Sequence, residues 1–472
     1  MKKLFKFDAD SNSLEATSSF GQTVSDAKSA VNAADGVPQY DYLILGDGPA
    51  GVYSMDPQES LVNNNVMAIA GTGGGKTKSV VEANLLHARH QSMVVLLTKR
   101  RLMDQYSDFM KKKGYDIKVL DLVNPDASGF GYDPMLHVHD GSDLMALAKG
   151  LVACTEKNTA DKDLYWPNSA ASLFCAFAKL AIHKYGHRAR MKHVLYLLRH
   201  IHVECSERYD DESDMYITVS DCCPKEDFER LKEKDPKMYS DWIQYRQNAD
   251  STRDCIRSIL LMDINTIMTD GICRLMAMEK QLDFRELVNR KTVLFILTSP
   301  VNPSLHPFAN LVFGNMFKEL FEYGESLPGG RLPIPLTAIC DDFATGGQIP
   351  DFQHHISIFR EKGISVMMLV QSLSQLEAMY GHSGAVTIMD NTDNLVYLGG
   401  NDYGTAMQIG QRINKPADEV LALPIGQEYL FRRGQKPLQL KRYQIFNDLL
   451  YRQEFASKLD PAQIRPVHPR LC

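Results

Sequence analysis

Val66-Met67-Ala68-Ile69-Ala70-Gly71-Thr72-Gly73-Gly74-Gly75-Lys76-Thr77 decides how the rest of this chain is read. An apolar run of strand length delivers the backbone to a glycine-rich turn, and a helix starting near Lys76-Thr77 follows. In that order, successive backbone N–H groups and a helix N-terminus converge on one place, as a polyphosphate requires. Gly71, Gly73, Gly74 and Gly75 permit the tight backbone, with Thr72 between them in the loop. Lys76 is placed to reach the β- and γ-phosphates, and the Thr77 hydroxyl to ligate Mg2+. Ala70 stands where the motif G-x-x-x-x-G-K-[ST] has its first glycine, a departure small enough for a loop to absorb. The stretch reads as an ATP site.

Working outward, 472 residues are too many for one core, and two or three domains are expected. A net charge of −6 gives no global nucleic-acid signature, so any DNA contact has to come from a local basic lining. Nine cysteines, scattered without a framework, fit a reducing compartment. No run of about 18 uninterrupted apolar residues occurs, so no transmembrane helix is expected. Met1-Lys2-Lys3-Leu4-Phe5-Lys6-Phe7-Asp8 lacks the apolar core of a signal peptide. These features read as cytoplasmic.

Residues 1–39 read as a polar lead-in, and 456–472 as a C-terminal tail. From Tyr40, apolar runs at Tyr42–Leu45, Val66–Ala70, Met93–Leu97 and Ile117–Leu120 alternate with helical segments, which predicts βα units and a mostly parallel sheet. Between about 140 and 280 the apolar spacing is helical, and an inserted all-α domain is expected. Strands resume at Lys291–Leu297, Leu336–Cys340, Ser365–Val370 and Asn394–Leu398, and a strand pair at Glu428–Phe431 and Gln439–Tyr443 turns around Gly434. The fold class is therefore α/β, with a discontinuous nucleotide-binding domain over 40–139 and 281–455. Gly46-Asp47-Gly48-Pro49-Ala50-Gly51 matches the dinucleotide fingerprint G-x-G-x-x-G, but Pro57 stops any helix after it; we read it as a β-turn.

Hydrolysis needs a second acidic strand end, and Leu336-Thr337-Ala338-Ile339-Cys340-Asp341-Asp342 supplies one. Asp341 is placed to hold Mg2+ and Asp342 to polarise the attacking water. Downstream, Arg360 lies on a helix before the strand Ile364–Val370, and Gln371 follows that strand. A cation from a neighbouring subunit and a polar strand end can both act on a transferring phosphate. Taken alone, Arg360 reads better as a surface helix charge and Gln371 as a strand cap than in those roles.

These residues together resemble a family. Asp341-Asp342-Phe343-Ala344, Gly347-x-Ile349-Pro350, Arg360-x-x-Gly363-Ile364, Gln371-Ser372-x-x-Gln375-Leu376, Tyr380-Gly381 and Asn391 look like the type IV secretion coupling proteins, the TraG/TraD-type motor ATPases of conjugation. Upstream, Gly114-Tyr115, Tyr132-Asp133-Pro134 (similar to an Asn-Pro motif) and Asp163-Leu164-Tyr165-Trp166 agree, so the resemblance spans about Tyr42 to Tyr443. It implies a RecA-like P-loop domain with an inserted all-α domain, a hexameric ring, ATP with Mg2+, and delivery of single-stranded DNA with its relaxase to a type IV secretion channel. It assigns nucleotide to Gly75, Lys76 and Thr77, Mg2+ to Asp341, the catalytic carboxylate to Asp342, a finger acting in trans to Arg360 and a sensor to Gln371. An ATP-gated receptor for protein effectors, or an FtsK-like duplex DNA translocase, are the alternatives.

Three departures stand out. The second Walker motif ends Asp341-Asp342 where the family usually has Asp-Glu, which predicts slow hydrolysis. Thr98-Lys99-Arg100-Arg101-Leu102 replaces Asp-Pro-Lys-Gly-Glu, a solvated helix start or a phosphate-contacting patch. The usual transmembrane pair is not seen, which reads either as a chain recruited to the inner face of the membrane by a separate anchor protein, the reading preferred, or as an excised piece of a longer one. Among weaker constellations, His200, His202, Cys205, Cys222 and Cys223 lack zinc-site spacing. The basic Arg432-Arg433, Lys436 and Lys441-Arg442 read as solvated or channel-facing, and Trp242 as a core aromatic or a base-stacking one.

Overall fold

Each apolar run named above becomes a strand. The computed structural model describes residues 42–47, 52–54, 62–153, 165–210, 215–345 and 347–455. The polar lead-in over 1–39 and the tail over 456–472 lie outside the described residues. The strands are β1 (Tyr42–Ile44), β2 (Val52–Ser54), β3 (Val66–Ile69), β4 (Ser92–Leu97), β5 (Asp116–Asp121), β6 (His202–Asp210), β7 (Met215–Cys223), β8 (Thr292–Leu297), β9 (Leu336–Cys340), β10 (Ile364–Val370), β11 (Asn394–Tyr397), β12 (Gln427–Arg432) and β13 (Leu438–Lys441).

Nine of them form one sheet in the order β13-β12-β11-β3-β10-β9-β4-β8-β5. All its pairings from β11 to β5 are parallel, and β12 and β13 close one edge antiparallel. Parallel strands need both faces covered, which is why β3, β4, β8 and β9 are buried along their whole length. The pleat sends alternate side chains to opposite faces. Val94 and Leu96 of β4 join one apolar cluster, while Met93, Val95 and Leu97 join the other with Val80, Leu85, Tyr106 and Phe109.

The Gly46–Gly51 stretch connects no strand to a helix. Antiparallel β1 and β2 flank it, Tyr42 opposite Ser54, so the dinucleotide fingerprint lacks the helix it needs. The segment between β5 and β8 is mostly helical, with helices at Gly141–Ala153, Tyr165–Tyr185, Met191–Arg199, Lys225–Leu231, Pro236–Arg246, Asp250–Ile267 and Asp270–Ala277. It is not all helical, which corrects the expectation of an all-α insertion. β6 and β7 pair as an antiparallel hairpin, His202 opposite Cys223. Met215-Tyr216-Ile217-Thr218-Val219 is rich in β-branched and aromatic residues, which favour a strand over a helix.

Trp242 is fully buried inside this segment and stacks on Phe228 with ring centroids 4.4 Å apart. That places it in the core and removes the base-stacking alternative. The Asp133 carboxylate accepts from Met135 N at 3.0 Å and from Met191 N at 3.1 Å, capping the turn at Pro134 and tying it to the start of the helix Met191–Arg199.

Candidate nucleotide site

The loop after β3 is held by backbone contacts on several sides. Ala70 N donates to Val370 O, Gly71 N to Gly399 O and Gly74 N to Gly71 O. Gly73 and Gly75 take φ of 73° and 85°, where any other residue is strained. A Cβ on Gly74 would stand 2.7 Å from the Ala70 Cβ, so the methyl at the motif's first position is already packed against the loop.

Lys76 is buried and its Nζ donates to Ala70 O at 2.5 Å. Burial lowers its pKa, against the opposing pull of Asp342 and Asp341. Thr77 opens the helix, whose first stretch, Thr77–Glu82, is wound as a π-helix before Ala83–His87 continues as α. Such wide turns recur at functional sites. The Thr77 Oγ1 donates to Asp341 Oδ2 at 3.2 Å.

Asp341 follows the buried strand β9. Burial first, and the neighbouring Asp342 second, push its carboxyl up to about 6; the Thr77 hydrogen bond, Lys76 and Lys99 oppose them. Asp342 takes φ of 57°, a left-handed conformation that Asp and Asn adopt more readily than most residues. Lys76, Thr77, Asp341 and Asp342 are thus brought together from chain segments far apart in sequence.

β10 lies between β3 and β9, hydrogen-bonded in parallel to both. Gln371 follows its last residue, so it emerges at the same sheet edge as the phosphate loop, exposed, its N donating to Gln375 Oε1 at 3.2 Å. Arg360 is not brought to this edge. It sits on Phe359–Lys362, before the start of β10, while the loop follows the end of β3. The seven residues of β10 separate the two edges by about 23 Å. Arg360 therefore lies away from its own chain's phosphate loop.

Sequence reasoning missed two neighbours of the site. His306 is buried at the start of His306–Ser326, its Nδ1 without a hydrogen-bond partner; burial lowers its pKa while the Asp342 carboxylate opposes. Arg442 Nη1 donates to Gly74 O at 2.7 Å, inside the loop. The basic C-terminal hairpin is thereby split. Arg442 faces the loop, Arg432 is buried with its Nε on Asn394 Oδ1 at 3.2 Å, and Lys436 and Lys441 are exposed. The basic run after β4 divides as well: Arg100 pairs with the buried Asp121, and Lys99 is exposed. Among the described residues, no group of three or more His, Cys, Asp or Glu forms a metal cluster, and the side chains of His202, Cys205, Cys222 and Cys223 lie outside them.

With this geometry in place, the family follows. A family model described as Type IV secretory system Conjugative DNA transfer matches residues 41–417. The chain belongs to that family. Among solved structures it is similar to the bacterial conjugative coupling protein TrwBdeltaN70 in complex with sulphate, with TM-score 0.62, 16% identity, and coverage of 90% of this chain and 93% of that one. It is similar to plasmid coupling protein TrwB in complex with ADP and Mg2+, with TM-score 0.59, 17% identity, and coverage of 90% and 93%. VirB4 of Thermoanaerobacter pseudethanolicus follows at TM-score 0.52 and 12% identity, with coverage of 92% and 100%. The fold shared with these coupling proteins is the RecA-like P-loop fold. No curated protein sequence matches the chain. No helix among the described residues is long and apolar enough to cross a membrane.

Proposed function

We propose that this chain is an ATP-hydrolysing coupling protein that passes single-stranded DNA with its bound relaxase to a type IV secretion channel. The observation that carries the reading is the meeting of Lys76 and Thr77, beyond β3, with Asp341 and Asp342, beyond β9, one strand apart at the same edge of the sheet, in a chain of the conjugative DNA transfer family.

The phosphates of ATP are assigned to the loop Gly71, Thr72, Gly73, Gly74, Gly75, Lys76 and Thr77. Mg2+ fits the pair of hard oxygen donors Thr77 Oγ1 and Asp341 Oδ2, which already lie 3.2 Å apart, since this ion takes few protein ligands beside phosphate and water. When bound, the ion neutralises charge on the phosphates. Lys76 exchanges its Ala70 carbonyl for phosphate oxygen. Asp342 orients the attacking water and accepts its proton, and Gln371 at the next strand end contacts that water or the γ-phosphate. Arg360, displaced from its own loop by the length of β10, supplies its guanidinium to a neighbouring subunit in a ring, taken as hexameric. A separate membrane anchor would hold the ring at the inner face of the membrane. TrwB crystallised with ADP and Mg2+, and with a non-hydrolysable ATP analogue, supports the choice of nucleotide and ion.

The test is the ATPase rate without DNA, with single strands and with duplex. Stimulation by single strands is expected. Indifference to all DNA would replace this reading with an ATP-gated receptor for protein effectors, and a duplex preference with an FtsK-like translocase.

A further inference from the structure

We propose that Arg442 is a positioning residue for nucleotide binding, holding the phosphate loop in its binding shape from the C-terminal hairpin. The inference rests on the nucleotide reading above and concerns a residue which that reading leaves unused.

Arg442 directly follows β13, and its own N donates to Gly426 O at 2.9 Å. Its guanidinium spreads over three carbonyls from three chain segments. Nη1 donates to Gly74 O at 2.7 Å, Nε to Gln427 O at 3.2 Å, and Nη2 to Leu398 O beyond the end of β11. Only a planar fork of donors on a rigid frame meets all three at once; a lysine ammonium carries the same charge as a point on a flexible stem.

What the fork holds is the peptide between Gly74 and Gly75. A trans peptide carries its C=O and its N–H on opposite sides. With the Gly74 carbonyl fixed toward Arg442, the Gly75 N–H is aimed the other way, as one of the donors the loop presents to a phosphate. The loop needs this external hold. Gly73 and Gly75 both have positive φ, and glycine leaves those peptides free to rotate at little cost. A Cβ on Gly75 would lie 3.4 Å from Arg442 Nη1, so the guanidinium is packed directly against the turn that it orders. Ordering a binding loop before the ligand arrives removes that entropy cost from the binding step.

The test uses the full chain and a fluorescent ADP analogue with Mg2+. Arg442→Lys and Arg442→Gln are both expected to bind it about 10-fold more weakly than wild type, about 1.4 kcal/mol. Amide exchange across Gly71–Thr77 is expected to speed up in both variants under folded conditions. Wild-type affinity in both variants overturns the inference. So does wild-type affinity in Arg442→Lys alone, which would assign the effect to charge, and so does unchanged loop exchange. A Lys76→Ala control separates the two levels. If wild type itself fails to bind ADP, or Lys76→Ala binds as well as wild type, the nucleotide reading falls and takes this inference with it. If those controls behave and the Arg442 variants bind normally, only the role of Arg442 falls.

Discussion

Thr77 and Asp341 meet across 264 residues of sequence, the threonine hydroxyl donating to the carboxylate at 3.2 Å. One residue opens the helix after the phosphate loop and the other directly follows β9, so this contact brings both halves of the site into register. If the pair is the Mg2+ corner, Asp341→Asn should retain ADP binding without Mg2+ and lose the tightening that Mg2+ brings. Titrating ADP with and without the ion measures this, and an unchanged Mg2+ effect would remove Asp341 from the role.

Asp342 joins a left-handed backbone to a carboxylate one methylene shorter than the glutamate that the resemblance leads one to expect there. The two facts pull a substitution in opposite directions. Asp342→Glu should turn over ATP faster, because displacement by about a bond length can cost about 100-fold in rate. It should also lose roughly 1 kcal/mol of stability, because the longer side chain tolerates positive φ less well. Steady-state turnover and denaturant unfolding read the two effects separately; turnover no faster than wild type contradicts the first.

Glu428 on β12 is buried, one carboxylate oxygen lacks a hydrogen-bond partner, and its pKa is pushed up to about 8, chiefly by burial, with Arg442 opposing and Asp47 assisting. A carboxyl with a raised folded pKa holds its proton longer folded than unfolded, so its contribution to stability declines as pH rises from about 4.5 to about 8. Glu428→Gln removes the titration. Its thermal midpoint relative to wild type should therefore improve steadily across that window. A difference that stays constant with pH would show that Glu428 does not titrate there.

Arg360 lies at the sheet edge opposite its own phosphate loop, so its proposed partner is the loop of a neighbouring copy. Mixing Arg360→Ala protein with Lys76→Ala protein should restore part of the ATPase activity that each lacks alone, because some shared interfaces then hold one intact set. No recovery in mixed rings of confirmed assembly counts against action in trans.

Much of the fold was legible because β3, β4, β8, β9 and β10 are buried strands written as continuous apolar runs, and the loop chemistry is written in side chains. The β6–β7 hairpin escaped because His202-Val203-Glu204-Cys205-Ser206-Glu207-Arg208 mixes charge into its alternation. Trp242 was ambiguous because an aromatic looks the same whether it packs or stacks on a base. Arg442 was read as a surface or channel charge because its partners are backbone carbonyls, one of them 368 residues away, and carbonyls leave no mark in sequence. The roles of Arg360 and Gln371 come from the resemblance; they flank β10 in sequence, and its parallel register with β3 puts Gln371 at the loop's edge of the sheet and Arg360 at the other.

The apolar cluster running from Met67 and Ile69 of β3 through Phe177 and Phe228 to Trp242 and Ile264 has a mechanical consequence. Interiors packed this densely scarcely compress. The helices between β5 and β8 and the strand that carries the phosphate loop share one interior, so a substitution that changes side-chain volume among those helices is felt beneath the loop.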